Sequence, residues 1–342
     1  MPSEFMDVNY GATLKNYLLN HACLLRIHRY DPRSPQFADA LVSSCVVWFV
    51  NETSDSDYEV EFSYGGTHAA PGLSMMVRKS ELQKEAKWTR FPLKPSRGEA
   101  PSEDEIGRFF TIKRGIGTGD NSFFILSEDK IMDLGLDLKF FKPILPSSRH
   151  LKEDLIERDD DGNPMLPKRY FLLDCQESED QIKRHSPALW AYIESGVPSS
   201  SGKYLCRNRR PWYCQEHRQP DPILCAYMGR GNGAGSPIRF ICNLSDAIAT
   251  NSYFMLYPKE NLLKIIKIIK SDPHAIIAIW KILKSIKASS IEDEGRVYGG
   301  GLKKIEPREL AKVHALNLPN CVQTPLPDGR RICPHFLWWC SF

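Results

Sequence analysis

The chain has 342 residues, 42% of them hydrophobic and 25% charged, with a formal net charge of +3. Those values exclude a disordered or fibrous polymer and leave room for one large domain or two ordinary ones. They also exclude a polybasic tail, so any nucleic-acid contact has to come from local clusters of Arg and Lys.

Residues 11–20 carry Leu14, Tyr17 and Leu18 at helical spacing, with Lys15 and Asn16 on another face. Leu24–His28 reads as a short strand, closed by the turn signals Asp31-Pro32 and Ser34-Pro35. Leu41–Val50 is the clearest strand; its near-continuous apolar character predicts burial on both faces. Polar, acidic residues 51–58 end this first unit, and 59–103 read as a connector, rich in Trp, Pro, Lys and Glu from Glu85 onward. The larger second unit spans 104–319, and 320–342 form a tail of no recognisable pattern.

Within the second unit, Phe109–Lys113 and Phe123–Leu126 read as strands on either side of a tight turn, Gly115-Ile116-Gly117-Thr118-Gly119. Arg158–Pro167 is a polar loop, 176–194 a helix interrupted at Pro187, and Ser195–Gly202 a flexible linker. Strands are expected at Ile223–Met228, Ile238–Cys242 and Tyr253–Leu256. Two helices follow, one with Leu262, Ile265, Ile266 and Ile269 on its apolar face. The second starts at an Asp272-Pro273 cap and buries Ile276, Ile279, Trp280, Leu283 and Ile286. Lysines at their margins are read as ordinary wet-face residues.

The richest basic and aromatic cluster is Arg207, Arg209, Arg210 and His217 interleaved with Trp212 and Tyr213, which suits phosphate clamping with stacking. The bland alternative is a solvated loop anchored by two aromatics. Lys113 and Arg114 beside the glycine turn, and Arg230 beside its own glycines, are further phosphate-contact candidates. Asp120 followed by Glu128 and Lys130 has the outline of a metal-dependent nuclease core, although so short a motif often arises by chance. Ten cysteines include no Cys-x-x-Cys pair, and Cys206, Cys214 and Cys225 match no ordinary zinc spacing. Reduced thiols, no metal and a cytoplasmic location are therefore expected, with no signal-peptide pattern after Met1.

Several segments, in order, resemble one family. Pro2–Gly11 and Gln36–Phe49 resemble the last part of the catalytic domain of the gamma-class adenine-N6 DNA methyltransferases of restriction–modification systems. Lys113–Phe124, Leu224–Arg230, Arg239–Asn243, Asn251–Pro258 and Tyr298–Leu310 resemble the target-recognition domain of the same enzymes. The likeness runs over residues 2–319 and then stops, which raises the possibility of a displaced reading frame in the tail. It implies an α/β fold: the C-terminal piece of a Rossmann-like methyltransferase domain over 1–58, then a mixed α/β target-recognition domain over 104–319. It further implies methyl transfer from S-adenosylmethionine to adenine N6 in a flipped base, on double-stranded DNA. Phe37 sits where the family places an aromatic against the flipped adenine; packing into the core is the alternative.

The two motifs that carry the family's chemistry are missing. No Asn/Asp/Ser-Pro-Pro-aromatic run exists, and Arg210-Pro211-Trp212-Tyr213 lacks both the carboxylate or amide and the second proline. The glycine turn is expected to lead into a strand, not into the helix a cofactor loop requires. The resemblance would place both motifs before Met1, so the isolated chain is expected to be inactive. It would serve as a fragment, as a subunit working with a separate chain that bears those motifs, or as a stand-alone DNA-binding specificity subunit.

Overall fold

The computed structural model describes residues 1–318 except 9, 38–41, 55, 94–102, 231–237, 261, 263–272, 299–300 and 317. It divides into two units, one formed by Met1–Pro101 with Gly229–Gly235 and Glu292–Lys304, the other by the remaining segments. The architecture is mixed α/β in both.

In the first unit, helix α1 (Gly11–Asn20) lies where its periodicity predicts and buries Leu18 and Leu19. Four strands form a mixed sheet, β1 (Cys23–Arg29), β2 (Cys45–Val50), β3 (Glu59–Gly66) and β4 (Pro71–Arg78), in the order β2-β1-β3-β4. β1 pairs with β2 antiparallel and with β3 in parallel. One face carries the core, in which Met6, Leu24, Ile27, Val60, Phe62, Trp88 and Phe91 are buried. Burying each such side chain contributes on the order of 2 kcal/mol. Helix α2 (Lys79–Lys84) closes this core, and the Trp88 indole donates to the Leu82 carbonyl at 3.0 Å.

Two expectations are corrected here. The span 59–78 is not connector but two paired strands. Its inward residues Val60 and Phe62 alternate with Glu59, Glu61 and Ser63, and that polar half dilutes the apolar signal. The second correction is β2, of which only Cys45 is buried. It lies at the edge of the sheet, where only one face meets the core.

In the second unit, a five-stranded sheet runs β5-β13-β10-β12-β8. Its strands are β5 (Phe110–Arg114), β8 (Leu155–Ile156), β10 (Ile223–Ala226), β12 (Arg239–Asn243) and β13 (Tyr253–Pro258). One face packs on helix Pro273–Lys284, where Ile279, Trp280 and Leu283 are buried and the Trp280 indole donates to Phe240 O at 3.0 Å. The other expected helical face falls outside the described residues apart from Leu262, which is buried, and so does Asp272. A second sheet joins β6 (Ile125–Ser127), β9 (Tyr170–Leu173) and β7 (Phe141–Ile144). Helices Glu179–His185 and Pro187–Ser195 share its core, with the break at Pro187 as read from the sequence. A small sheet of β11 (Met228–Arg230), β15 (Leu302–Lys304) and β14 (Arg296–Tyr298) belongs, apart from Met228, to the first unit. The expected strand Phe123–Leu126 is corrected: Asn121–Phe124 is a single helical turn, and β6 begins at Ile125. The Asp120 carbonyl accepts from both Phe123 and Phe124 amides, a local closure that outweighs their strand propensity.

Asp221, just before β10, is fully buried; one carboxyl oxygen accepts from Ile223 N at 2.9 Å and the other has no partner. Burial pushes this carboxyl up to about 7. The unfolded chain therefore ionises first, so the group lowers stability as pH rises from the ordinary carboxylate range to about 7, with a plateau above. Asp221→Asn keeps the acceptor for Ile223. It is expected to raise urea-melt stability by about 1–3 kcal/mol near pH 8 and by almost nothing near pH 4. Equal effects at both pH values would refute this assignment.

Candidate nucleic-acid interface

The glycine turn is held by the segment the sequence offered as the basic cluster, so the two candidate regions meet. A Cβ on Gly115 would fall 2.2 Å from Thr250 O. Gly119 has φ of 89°, and a Cβ there would lie 2.7 Å from Cys206 Sγ. Arg209 inserts its guanidinium beneath the turn and donates to Gly117 O and Thr118 O, each at 2.7 Å, and to Gln215 Oε1 at 3.1 Å. Asp120, buried at the turn's exit, accepts from Ser122 at 2.6 Å and Ser200 at 2.7 Å, and pairs with Lys203 at 2.6 Å. Burial alone would raise its carboxyl, but the bonds from Lys203, Ser122 and Ser200 hold it well below the usual carboxylate range.

The two aromatics of the cluster face inward. Trp212 packs against Phe123 and Phe124 with ring centroids 5.5 and 6.0 Å away. Tyr213 is fully buried, and its hydroxyl donates to Glu177 O at 2.8 Å. Trp212, Tyr213 and Arg209 thus anchor the segment; Tyr213, fully buried, offers no surface to DNA, which corrects its reading as a direct contact, while Arg209 and Trp212 are partly buried. What remains outside is Arg207, exposed, with its guanidinium 5.3 Å over the ring of Tyr204, itself 70% exposed. Arg210 is exposed as well, its Nη1 donating to the carbonyls of Arg207 and Arg209. Tyr204 escaped the sequence reading; its spacing of three from Arg207 on one helical turn was the available signal. His217 is exposed beside Gln219.

Arg114 is also committed. It donates to Glu306 at 2.6 Å and lies 5.3 Å over Tyr227, which stacks on Phe254. It joins β5 to Glu306 while its side chain stays exposed. Lys113 is exposed on β5, with Nζ 5.8 Å from the Tyr257 ring, and Arg230 is exposed on β11. In the first unit, Phe37 is 42% exposed, so it does not plug the core beside the following strand. The nuclease outline fails on geometry. Asp120 is occupied by Lys203 and two serines, while Glu128 pairs with Arg169 at 3.1 Å. Among the described residues no group of three or more His, Cys, Asp or Glu could hold a metal ion. The glycine turn does not fit S-adenosylmethionine either: Arg209, Cys206 and Thr250 fill the space a cofactor would need, and only four helical residues follow.

Residues 85–329 match the family model described as the C-terminal domain of the type II methyltransferase M.Eco57I. The chain belongs to this family. The match continues past Pro319 into the tail, which corrects the expectation that the likeness stops there. It is 25% identical over 334 residues to the type II methyltransferase M.AccI of Acinetobacter calcoaceticus, covering 93% of this chain and 58% of that protein. To M.XamI of Xanthomonas campestris pv. amaranthicola it is 28% identical over 326 residues, covering 93% and 56%. The chain thus spans little more than half the length of these curated relatives. Among solved structures, the type IIL restriction–modification enzyme MmeI in complex with DNA gives a TM-score of 0.45 at 13% identity, over 78% of this chain and 34% of that one. Among the described residues, no helix is long and apolar enough to cross a membrane.

The division between buried anchors and exposed side chains is measurable. Arg209→Ala and Asp120→Asn should each lower stability by about 1–3 kcal/mol, because both leave charged or polar groups unpaired. Arg207→Ala should stay within about 0.5 kcal/mol. Urea melts giving equal losses for all three would contradict the division.

Proposed function

We propose that this chain forms the DNA-recognition part of an adenine-specific DNA methyltransferase of a restriction–modification system. The reaction moves a methyl group from S-adenosylmethionine to N6 of an adenine turned out of the duplex. The match of residues 85–329 to the methyltransferase C-terminal domain carries this reading. The exposed Tyr204, Arg207 and Arg210 support it as a phosphate-contacting edge, with Lys113 as a further contact in the same unit; Arg230, exposed in the first unit, is a separate candidate contact. Arg114, Arg209, Trp212 and Tyr213 act as positioning residues. Residues 1–58 contribute Phe37 against the flipped adenine, and the exposure of its ring supports that role. The cofactor and Pro-Pro-aromatic motifs come from the catalytic part of the enzyme, in the same or a separate polypeptide.

The isolated chain is expected to bind duplex DNA and to transfer no methyl group. Arg207→Ala and Arg210→Ala should each reduce the slope of log affinity against log salt by about 1, read by fluorescence anisotropy. Methyl transfer by the isolated chain, or slopes unchanged in both variants, would overturn the proposal. In the enzyme assembled with its catalytic part, Phe37→Ala should cost about 1–3 kcal/mol in holding the flipped base, read with 2-aminopurine at the target position. Unaltered 2-aminopurine fluorescence would remove Phe37 from the site.

A further inference from the structure

The first unit contains a charged cleft of about 500 Å³, lined by the end of β1, by Tyr64 on β3 and by the β14–β15 pair. The loop that carries Phe37 leaves β1 through Asp31, Pro32 and Arg33 and returns through Ser43, and all four of these line the cleft. Three of its cations already answer a carboxylate. Arg33 pairs with Asp31 at 2.7 Å and Arg90 with Glu85 at 3.7 Å, and Lys303 Nζ donates to Glu292. Asp7 is engaged as well, accepting from Thr89 N at 3.2 Å and Thr89 Oγ1 at 2.5 Å. Arg29 is the exception. Its guanidinium lies 4.8 Å over the Tyr64 ring, and its Nε is shielded from solvent with no hydrogen-bond partner. Among the described residues no carboxylate forms an ion pair with it. Burial lowers this guanidinium from its ordinary value, against the pull of Asp7, Tyr64, Cys45 and Asp31. A guanidinium withdrawn from water with a donor unused is costly unless an anion completes it.

We propose that this cleft seats a backbone phosphate of the DNA strand that carries the target adenine, with Arg29 as its donor. This rests on the function proposed above. The planar fork of a guanidinium matches two oxygens of one phosphate, and Tyr64 holds it from one side. Because the Phe37 loop starts and ends at the cleft, a phosphate bound there fixes the strand at the base of the loop that presents Phe37 to the adenine. A free phosphate compound offers the same oxygens, and the two sources part in the test.

The test uses the full chain, with urea melts for stability and fluorescence anisotropy for binding of duplex DNA. Arg29→Met should leave the urea midpoint unchanged or raise it, because it removes a shielded charge that no residue answers. The same variant should reduce the slope of log affinity against log salt by about 1, while Arg29→Lys, which keeps the charge, holds the original slope. A lowered urea midpoint for Arg29→Met, with equal loss of slope in Arg29→Lys, would overturn the inference by making Arg29 a structural residue. Inorganic phosphate at constant ionic strength supplies the second arm. If it raises the midpoint of the unaltered chain but not of Arg29→Met, and the DNA slope of Arg29→Met is unchanged, the cleft belongs to a free phosphate compound and the DNA assignment falls. A slope lowered by Arg207→Ala and not by Arg29→Met sinks this inference alone and leaves the proposed function standing. No binding of duplex DNA by the unaltered chain sinks both.

Discussion

Arg209 is the contact on which the candidate interface depends. A guanidinium offers five donors in a fixed plane. Here it satisfies the carbonyls of Gly117 and Thr118, the latter also accepting from Cys206 Sγ at 3.8 Å. The turn in turn places Asp120 where Lys203, Ser122 and Ser200 reach it. Charge, backbone polarity and glycine geometry are therefore solved together. Losing any one exposes a buried polar group whose desolvation costs more than a neutral hydrogen bond returns.

That arrangement also explains why the most basic stretch of the chain is only partly a surface. Arg209 is consumed in holding the turn, Arg114 in holding Glu306, and Trp212 and Tyr213 in the core beneath. Cation–aromatic mixtures serve equally well as anchors and as ligand platforms, because an aromatic face attracts a guanidinium whether it comes from the chain or from a partner. Burial separates the two uses. Tyr204 with Arg207, standing clear of the core, offers a face to a partner, while Trp212 with Phe123 does not.

In the first unit the dominant constraint is the one-sided core. Phe62 meets Trp88 edge-on at 6.0 Å and Phe91 at 5.3 Å, and these rings fix which face of the sheet is inside. The opposite face is polar and aromatic, with Arg26 paired to Glu61 at 3.2 Å and lying 5.2 Å over Trp48.

Much of this was legible without coordinates. Periodicity alone located α1, β1, the break at Pro187 and the helix that buries Trp280, because each follows from spacing and from proline's missing N–H. The ordered family-like segments likewise identified the family, and the absence of both chemical motifs is a property of the residues themselves. Tertiary structure alone decided the rest. β3 was hidden because its residues Glu59, Glu61 and Ser63 are polar, and only pairing with β1 and β4 reveals which half is inside. The burial of β2 was overestimated because an apolar run does not say whether a second layer covers it. Which arginine binds its own backbone and which stays outside depends on contacts between positions about ninety residues apart, as Arg209 and Gly117 show, and local sequence carries no record of them.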